Sequence, residues 1–258
     1  SAIQLTESSY GNVYDYMKHD EDLLLFKRVW LINFSMLYFS LISLLNWKVM
    51  KDAVIGNLSF TLNILTIFGF VFFGLYEISE LRESYLIPNS DNPYPHDSGH
   101  LMLRYWSVPI ALFALIVEYF QVNSSYMAKW LRTAFDFVLH YCLIHIMSSE
   151  LLHWMDVTGN DNKSYKLGLS LLWGAYALFM VILGIWRKKS YLRISAFMLL
   201  GIILIKLFFY DLVNLPTLSK TIVFVVIGIV ILIISFLYNK YKGVMFPEDE
   251  QENRNDNV

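Results

Sequence analysis

Long apolar runs constrain this chain more than any other feature of its sequence. A helix needs about 20 predominantly apolar residues to cross a hydrocarbon core about 30 Å thick, because it rises about 1.5 Å per residue. The runs that approach or reach this length cover residues 29–45, 55–76, 105–120, 130–154, 167–186, 191–210 and 221–238. A backbone in lipid must satisfy its own hydrogen bonds, so we predict an all-α, polytopic membrane helix bundle with about seven transmembrane helices.

The composition indicates the same class of protein. Of the 258 residues 56% are hydrophobic and only 16% are charged, which is too apolar for an ordinary soluble domain. The net charge of -2 provides no basic surface for nucleic acid, and electrostatics identifies no partner. Membrane lipid is the expected partner because of the long apolar runs. The single cysteine, Cys142, excludes an intramolecular disulfide and argues against a thiolate metal site. No cofactor is indicated.

Three segments are predicted along the chain. Residues 1–28 form a polar N-terminal segment, residues 29–241 the helix bundle with an outward loop at 77–104, and residues 242–258 an acidic, disordered tail. The chain starts at Ser1 without methionine, and we therefore expect a piece of a longer protein or a processed product. The remainder of that longer chain, or other membrane subunits, would then be its partners.

The orientation is predicted from basic residues in short loops, which favour the cytoplasm. The densest cluster, Arg187, Lys188, Lys189 and Arg193, lies between the fifth and sixth runs. Counting seven spans, this cluster places the C-terminus inside and the N-terminus outside. The loop at 77–104 is then outside the cell.

The fourth run carries the ionisable residues that a membrane tolerates least. They are Arg132, Asp136, His140, His145, Glu150 and His153. At 100° per residue all of them except His145 fall on one helical face about 140° wide. From Arg132 to Glu150 the helix rises about 27 Å, nearly the thickness of the hydrocarbon core. This stripe must face protein or water.

Two interpretations of the stripe stay open. Intramembrane carboxylates and histidines commonly mark ion or substrate routes, which favours a polar pathway or proton relay. Alternatively, Arg132 and His153 lie at the two interfaces, and Asp136 and His140 form an i,i+4 pair that joins helices. Glu150-x-x-His153 also resembles half of a di-metal motif, but it occurs once, so no metal site is predicted.

Lys206 in the sixth run needs a polar partner, because an isolated lysine within a membrane is costly. Asp211 lies five residues further on, which turns it about 140° away on an ideal helix. We therefore prefer Glu150, on another helix, as the partner. In the fifth run the small residues Ser170 and Gly174 predict a close helix contact.

The last third of the chain resembles a known family. The segments that carry the resemblance are Leu169-Ser-Leu-Leu-Trp-Gly-Ala-Tyr-Ala-Leu, Gly184-Ile-Trp-Arg-Lys-Lys, Leu192-Arg-Ile-Ser, Lys206-Leu-Phe-Phe-Tyr-Asp-Leu and Ile234-Ser-Phe-Leu-Tyr. They are similar to the C-terminal part of the bacterial membrane proteins called domain of unknown function 2339. The resemblance implies a protein of the bacterial cytoplasmic membrane, a longer full chain, and a shared pattern that includes Arg193, Lys206 and Asp211. It implies no activity.

The favoured hypothesis for function is substrate or ion handling at the bacterial cell envelope. It places Glu150, His153, Lys206 and Asp211 around an outward-facing polar cavity. One alternative is a membrane-embedded enzyme acting on a lipid-linked or envelope substrate, with Glu150 as general base and His153 or His96 as acid or ligand. The other is a structural or assembly subunit. The sequence contains no nucleophile, phosphate-loop or dinucleotide signature that indicates a reaction.

Overall fold

The computed structural model describes residues 2–86, 99–158, 162–206 and 217–245, with most side chains from Asp22 to Lys240. The chain divides into two compact units, Ser1–Ser149 and Glu150–Val258, and each is described by itself. Every element in the described ranges is helical. In chain order they are α1 (Ala2–Leu45), α2 (Ala53–Gly69), α3 (Leu75–Leu86), α4 (Gly99–Val122), α5 (Lys129–Val157), α6 (Asn162–Trp186), α7 (Ser190–Lys206) and α8 (Thr217–Met245).

Within the described residues, five helical stretches are long and apolar enough to cross a membrane. They are Asp22–Met50, Ala53–Glu83, Met102–Val122, Lys129–Val157 and Gly168–Trp186, and a shorter apolar helix covers Lys220–Ile233. The predicted all-α membrane bundle is therefore confirmed. The count of about seven spans stays a prediction, as do the three sequence segments. The chain is helical up to Leu86 and again from Gly99, and residues 87–98 of the predicted outward loop lie outside the described residues.

Two of these spans continue through local irregularities. A π-helical turn, Phe70–Gly74, joins α2 to α3, so that one continuous span reaches Glu83. Helix α4 contains Pro109 in its interior without ending there. Proline is tolerated in transmembrane helices because neighbouring groups satisfy the carbonyl that it frees. The helix that contains the third apolar run is therefore long enough to cross a membrane.

Helix α1 has its polar side chains inside and its apolar side chains outside. Buried residues recur every three or four positions, which marks one face of the helix. They are Asp22, Val29, Asn33, Met36, Ser40 and Ser43, most of them polar, and Asn46 continues this face in the π-helical turn Asn46–Met50 that follows. The opposite face exposes large apolar side chains, among them Trp30, Leu31, Phe34 and Leu41. This is the reverse of a helix in water and suits a helix whose outer face contacts lipid.

Two turns pack together at one end of the first unit. In the α1–α2 turn Lys51 adopts a left-handed conformation (φ 54°), and its N–H donates to the carbonyl of Asn46 at 2.7 Å. Asp52 caps α2 by accepting hydrogen bonds from the N–H groups of Val54 and Ile55. A Cβ atom at Gly56 would lie 3.0 Å from Asn46, Tyr126 and Met127. The α4–α5 turn therefore rests directly on the start of α2.

In the second unit, α6 and α7 form a hairpin that is tightest at Gly184. A Cβ atom there would lie 2.7 Å from Cγ of Arg193 and 3.1 Å from its backbone nitrogen. At Gly174 a Cβ atom would meet nothing within 4 Å among the described residues. Ser170, the other member of that pair, is buried, and it is bonded to Lys206 of α7, so the close helix contact predicted at Gly174 stays a prediction.

We expect Gly184→Ala to lower the melting temperature of the protein in detergent. The added methyl group would have to displace the backbone of α7, and overpacking of this kind costs about 1–3 kcal/mol. Gly174→Ala, in the same helix, is the matched control and should leave the melting temperature nearly unchanged. Equal effects of the two substitutions would show that the hairpin turn does not require glycine.

Candidate functional site

Arg132, the first residue of the predicted stripe, lies at the end of another helix. Its Nε donates to the carbonyl of Val122 at 3.3 Å, and its Nη2 donates to those of Asn123 and Ser124 at 3.3 and 3.2 Å. These carbonyls are at the C-terminal end of α4, where the helix dipole favours a cation. The observed contacts give Arg132 a capping role.

Asp136 and His140 are both buried, 4% and 8% exposed. This agrees with the expectation that neither faces lipid, where an ionisable group would be costly. His145, on the other face of α5, lies 3.1 Å from the carbonyl of Tyr141 and stacks against its ring. A role of the stripe as a polar pathway stays a prediction.

The remaining predicted site residues belong to the second unit. His153 is buried beside Trp154, and Glu150 is half-buried. Lys206 ends α7 and donates from Nζ to Oγ of Ser170 at 2.9 Å and to the carbonyl of Lys166 at 3.4 Å. Its ammonium group also lies 5.8 Å from the ring centre of Trp173. Lys206 is thus fastened to α6.

Asp211 and His96 lie outside the described residues. The pairing of Lys206 with Glu150 stays a prediction. Over the described ranges, no group of three or more His, Cys, Asp or Glu side chains is placed to hold a metal ion.

The structure also brings together polar side chains that the sequence analysis did not single out. They lie where α1, α2 and α4 pack against one another, near the end formed by the two turns. We call them the Glu118 cluster: Ser40, Ser43, Ser59, Asn63, Glu118 and Gln121, all buried. Asn63 is ten residues into α2, about 15 Å from its start, so the cluster reaches well into the span.

Glu118 is the one ionisable residue of the cluster and is completely buried. Its Oε1 accepts a hydrogen bond from Oγ of Ser43 at 2.6 Å and another from Nδ2 of Asn63 at 2.7 Å. Within the described part of the chain, its other oxygen, Oε2, has no hydrogen-bond partner. No basic side chain described here pairs with the carboxyl group, which distinguishes it from Glu77 beside Arg28 and Glu83 beside Arg82.

Two amide side chains order the cluster around Glu118. Besides its bond to Glu118, Nδ2 of Asn63 donates to Oγ of Ser40 at 3.1 Å. Nε2 of Gln121 donates to the carbonyl of Gly56 at 2.8 Å and to Oγ of Ser59 at 3.0 Å. These bonds fix both amide orientations, because a carbonyl oxygen only accepts. Oε1 of Gln121 is consequently a second buried oxygen that lacks a partner among the described residues.

On the side of the cluster away from the turns, α1 and α2 contribute a layer of apolar side chains to the interior of the first unit. Met36, Ile67 and Phe70 are fully buried there. Beyond this layer Asn33 donates to Oγ of Ser107 at 2.7 Å, and Nη2 of Arg104 donates to Oγ of Ser149 at 2.8 Å. The Glu118 cluster is therefore the polar group of α1, α2 and α4 that lies next to the turns, and Asp136 and His140 of α5 are further buried polar residues of the first unit.

Two roles are compatible with a buried polar cluster of this kind: it joins helices, or it binds an ion or a substrate. Interhelical hydrogen bonds commonly hold membrane helices together, and Ser40, Ser43 and Asn63 suit that role. A buried carboxyl group with an oxygen that lacks a partner does not suit that role, because an amide group would join the helices at a lower desolvation cost. Ionisable residues inside spans usually mark ion or substrate sites, and unsatisfied buried atoms in a native structure commonly indicate a bound ion or water.

The sequence did contain a signal for this site. Glu118 is an acid within an apolar run, and such a residue is by default a candidate functional residue. The serine and asparagine partners carry no charge, and their helical spacing indicates only a polar face. Which helices that face would meet could not be read from one sequence.

We expect Asn63 and Glu118 to be energetically coupled. Asn63→Leu removes a donor from a buried carboxyl oxygen, which should cost about 1–3 kcal/mol of unfolding free energy. The loss should be smaller when Glu118 is already leucine, and a double-mutant cycle by thermal unfolding in detergent measures the difference. Asn57→Leu, at an exposed position of the same helix, is the control. Additive effects of Asn63→Leu and Glu118→Leu would contradict the observed bond.

Lys206 should be coupled to Ser170 in the same kind of experiment. Lys206→Met and Ser170→Ala each break the bond between α7 and α6, so a coupling of about 0.6 kcal/mol, the mean for such bonds in membranes, is expected. A parallel cycle of Lys206→Met with Glu150→Gln tests the pair predicted from sequence. Strict additivity in the first cycle would contradict the fastening of Lys206, and in the second it would remove the predicted ion pair.

Comparison with known proteins identifies a family for this chain. No curated protein and no solved structure matches this chain. The family described as "Predicted membrane protein (DUF2339)" matches residues 99–241, more than half of the chain. The matched residues include α4 with Glu118 and Gln121, and α7 with Arg193 and Lys206. The chain therefore belongs to this family of predicted membrane proteins of unknown function.

Proposed function

We propose that this chain handles a small cation, a proton included, within the membrane, and that the carboxyl group of Glu118 binds it. The observation that carries the proposal is the burial of Glu118 without a basic partner among the described side chains. An isolated carboxylate in a medium of low polarity is very unfavourable, so the group must take up a proton or another cation. This makes Glu118 a binding site rather than a simple helix contact.

The other members of the Glu118 cluster support a cation over an anion or a larger substrate. All of them are neutral, so the cluster carries at most one negative charge and no positive charge. The nearest described groups are hydroxyl, amide and backbone carbonyl groups, whose oxygens suit small hard cations. Their short mutual distances, between 2.6 and 3.4 Å, exclude an organic molecule from the cluster.

The ion would enter from the end formed by the α1–α2 and α4–α5 turns. Glu118 is four residues from the end of α4, about 6 Å along the helix. On the proposed orientation, with the N-terminus outside and the C-terminus inside the bacterial cytoplasmic membrane, both turns face the cytoplasm. The outward-facing cavity around Glu150, His153 and Lys206 remains a hypothesis for the second unit.

The rival functions differ from this one in measurable ways. The alternative enzyme would use Glu150 as its general base, so its activity on a lipid-linked substrate should depend on Glu150 and not on the enclosed Glu118. A structural subunit would keep its fold and lose no activity when Glu118 is replaced by glutamine. Ion handling requires the carboxyl group itself.

We expect Glu118→Gln to abolish cation movement through the purified protein in liposomes. Glutamine keeps the size of the side chain and its accepting oxygen but cannot balance the charge of a cation. The measurement is flux of Na⁺ and of protons, driven by an imposed gradient and followed with ion-sensitive dyes inside the vesicles. Glu83→Gln, which changes an exposed carboxylate, is the matched control.

Flux through wild-type protein that falls to the level of protein-free liposomes in Glu118→Gln, and persists in Glu83→Gln, supports the proposal. Wild-type liposomes that move neither ion, or a Glu118→Gln variant that moves ions at the wild-type rate, would contradict it.

A further inference from the structure

Glu118 and Gln121 each have a buried oxygen atom that lacks a hydrogen-bond donor. Oε2 of Glu118 and Oε1 of Gln121 both have no hydrogen-bond partner in the described part of the chain. The residues are three positions apart on α4, which puts them on neighbouring turns of one helical face, with Cβ atoms about 5–6 Å apart. Both side chains are completely buried. Both oxygens therefore belong to one buried face of α4, next to α1 and α2.

The amide and hydroxyl hydrogens of the Glu118 cluster are already donated to other acceptors. Both hydrogens of the Asn63 amide are donated, to Glu118 and to Ser40. Both hydrogens of the Gln121 amide are donated as well, to Gly56 and Ser59. The same holds for the hydroxyl groups, since Ser43 donates to Glu118, Ser59 to the carbonyl of Gly56, and Ser40 to Oδ1 of Asn63 at the longer distance of 3.4 Å. The cluster's own amide and hydroxyl groups thus leave both oxygens without a donor, and a cation bound by Glu118, whether a proton or a metal ion, would supply what they lack. Outside the cluster, the buried hydroxyl group of Tyr126 also has no partner among the described residues.

An excess of oxygen acceptors with one negative charge is the requirement of a cation site. From this we infer that Glu118 Oε2 and Gln121 Oε1 are ligands of a dehydrated monovalent cation, Na⁺. The inference rests on the proposed ion-handling function and specifies its ion. Charge balance selects a monovalent ion, because the carboxylate is the cluster's one charge and a divalent ion would leave a net positive charge buried.

Nearby groups fit this assignment. The carbonyl of Gly56 and the hydroxyl group of Ser59 accept hydrogen bonds from Nε2 of Gln121, so both oxygens hold the amide whose other end is the proposed ligand. Tyr126 and Met127, from the α4–α5 turn, close over Gly56 at the end of the unit. Exchange of the ion with water therefore requires this turn to move.

Na⁺ binding to the purified full chain in detergent tests the assignment. At constant pH and ionic strength, with choline replacing Na⁺, the melting temperature of the wild-type protein should rise with Na⁺ and then saturate, because an ion that binds only the folded state stabilises it. Binding of radioactive ²²Na⁺ gives the affinity directly. Glu118→Gln should abolish both effects, and Gln121→Leu should weaken the affinity at least about tenfold.

Two comparisons keep the test independent of folding. Gln121→Glu retains an oxygen ligand and, at a pH at which the new carboxyl group is protonated, the single charge of the site. It should then still bind Na⁺, so a loss in Gln121→Leu with retention in Gln121→Glu identifies the ligand atom. Asn57→Leu, at an exposed position of α2, should bind Na⁺ like the wild type. If a variant fails to fold, ²²Na⁺ competition by Li⁺ and K⁺ on the wild-type protein replaces it: Li⁺ should compete and K⁺, which is larger, should not.

The outcomes separate this inference from the proposed function. Wild-type protein that shows no saturable Na⁺ effect, while Glu118-dependent proton flux persists in liposomes, would overturn the Na⁺ assignment and leave Glu118 as a proton site. Na⁺ binding that survives in Glu118→Gln would overturn it as well. Absence of both Na⁺ binding and any Glu118-dependent flux would overturn the inference together with the proposed function.

Discussion

Water is excluded from the interior of a membrane helix bundle, so polar groups buried there depend on one another. In the first unit this dependence converges on one atom, Oε1 of Glu118, which accepts hydrogen bonds from Ser43 of α1 and Asn63 of α2. Three helices are therefore joined at a single carboxyl oxygen. The outer faces of these helices are as apolar as lipid, so close packing and hydrogen bonds hold the helices together, and a hydrophobic driving force between them is missing.

Basic and acidic groups have different positions in this architecture. The guanidinium group of Arg132 lies on the last carbonyls of α4, and that of Arg193 lies 3.3 Å from the carbonyl of Gly184 near the end of α6. Both stabilise the negative end of a helix dipole. Lys206 likewise donates to a carbonyl and a hydroxyl group of α6. The described contacts of these cations thus join neighbouring helices, whereas the contacts of Glu118 leave its Oε2 without a hydrogen-bond partner among the described residues.

The class of fold was predictable because it follows from the length of the apolar runs, which the physics of the bilayer fixes locally. Burial of Asp136 and His140 was predictable for a related reason: helix geometry and the cost of lipid exposure together decide where such groups point. The close approach at Gly184 was not, since it depends on how α6 turns into α7.

The candidate site itself was missed because it is a property of three helices. A search for several charges on one helix favours α5, while Glu118 is the one acid of its span and its partners are uncharged. Lys206 illustrates the same limit of sequence-based prediction. Its need for a polar partner is evident from the sequence, but the folded hairpin shows that Ser170 is one such partner.

The central claim is that the carboxyl group of Glu118 takes up an ion inside the membrane. Infrared difference spectroscopy of the purified protein, recorded while Na⁺ or proton concentration is changed, observes carboxyl groups directly. The account predicts carboxyl or carboxylate bands that change with the ion, shift when glutamate carries ¹³C, and disappear in Glu118→Gln. Spectra without ion-dependent carboxyl bands, or with bands unaltered in Glu118→Gln, would contradict it.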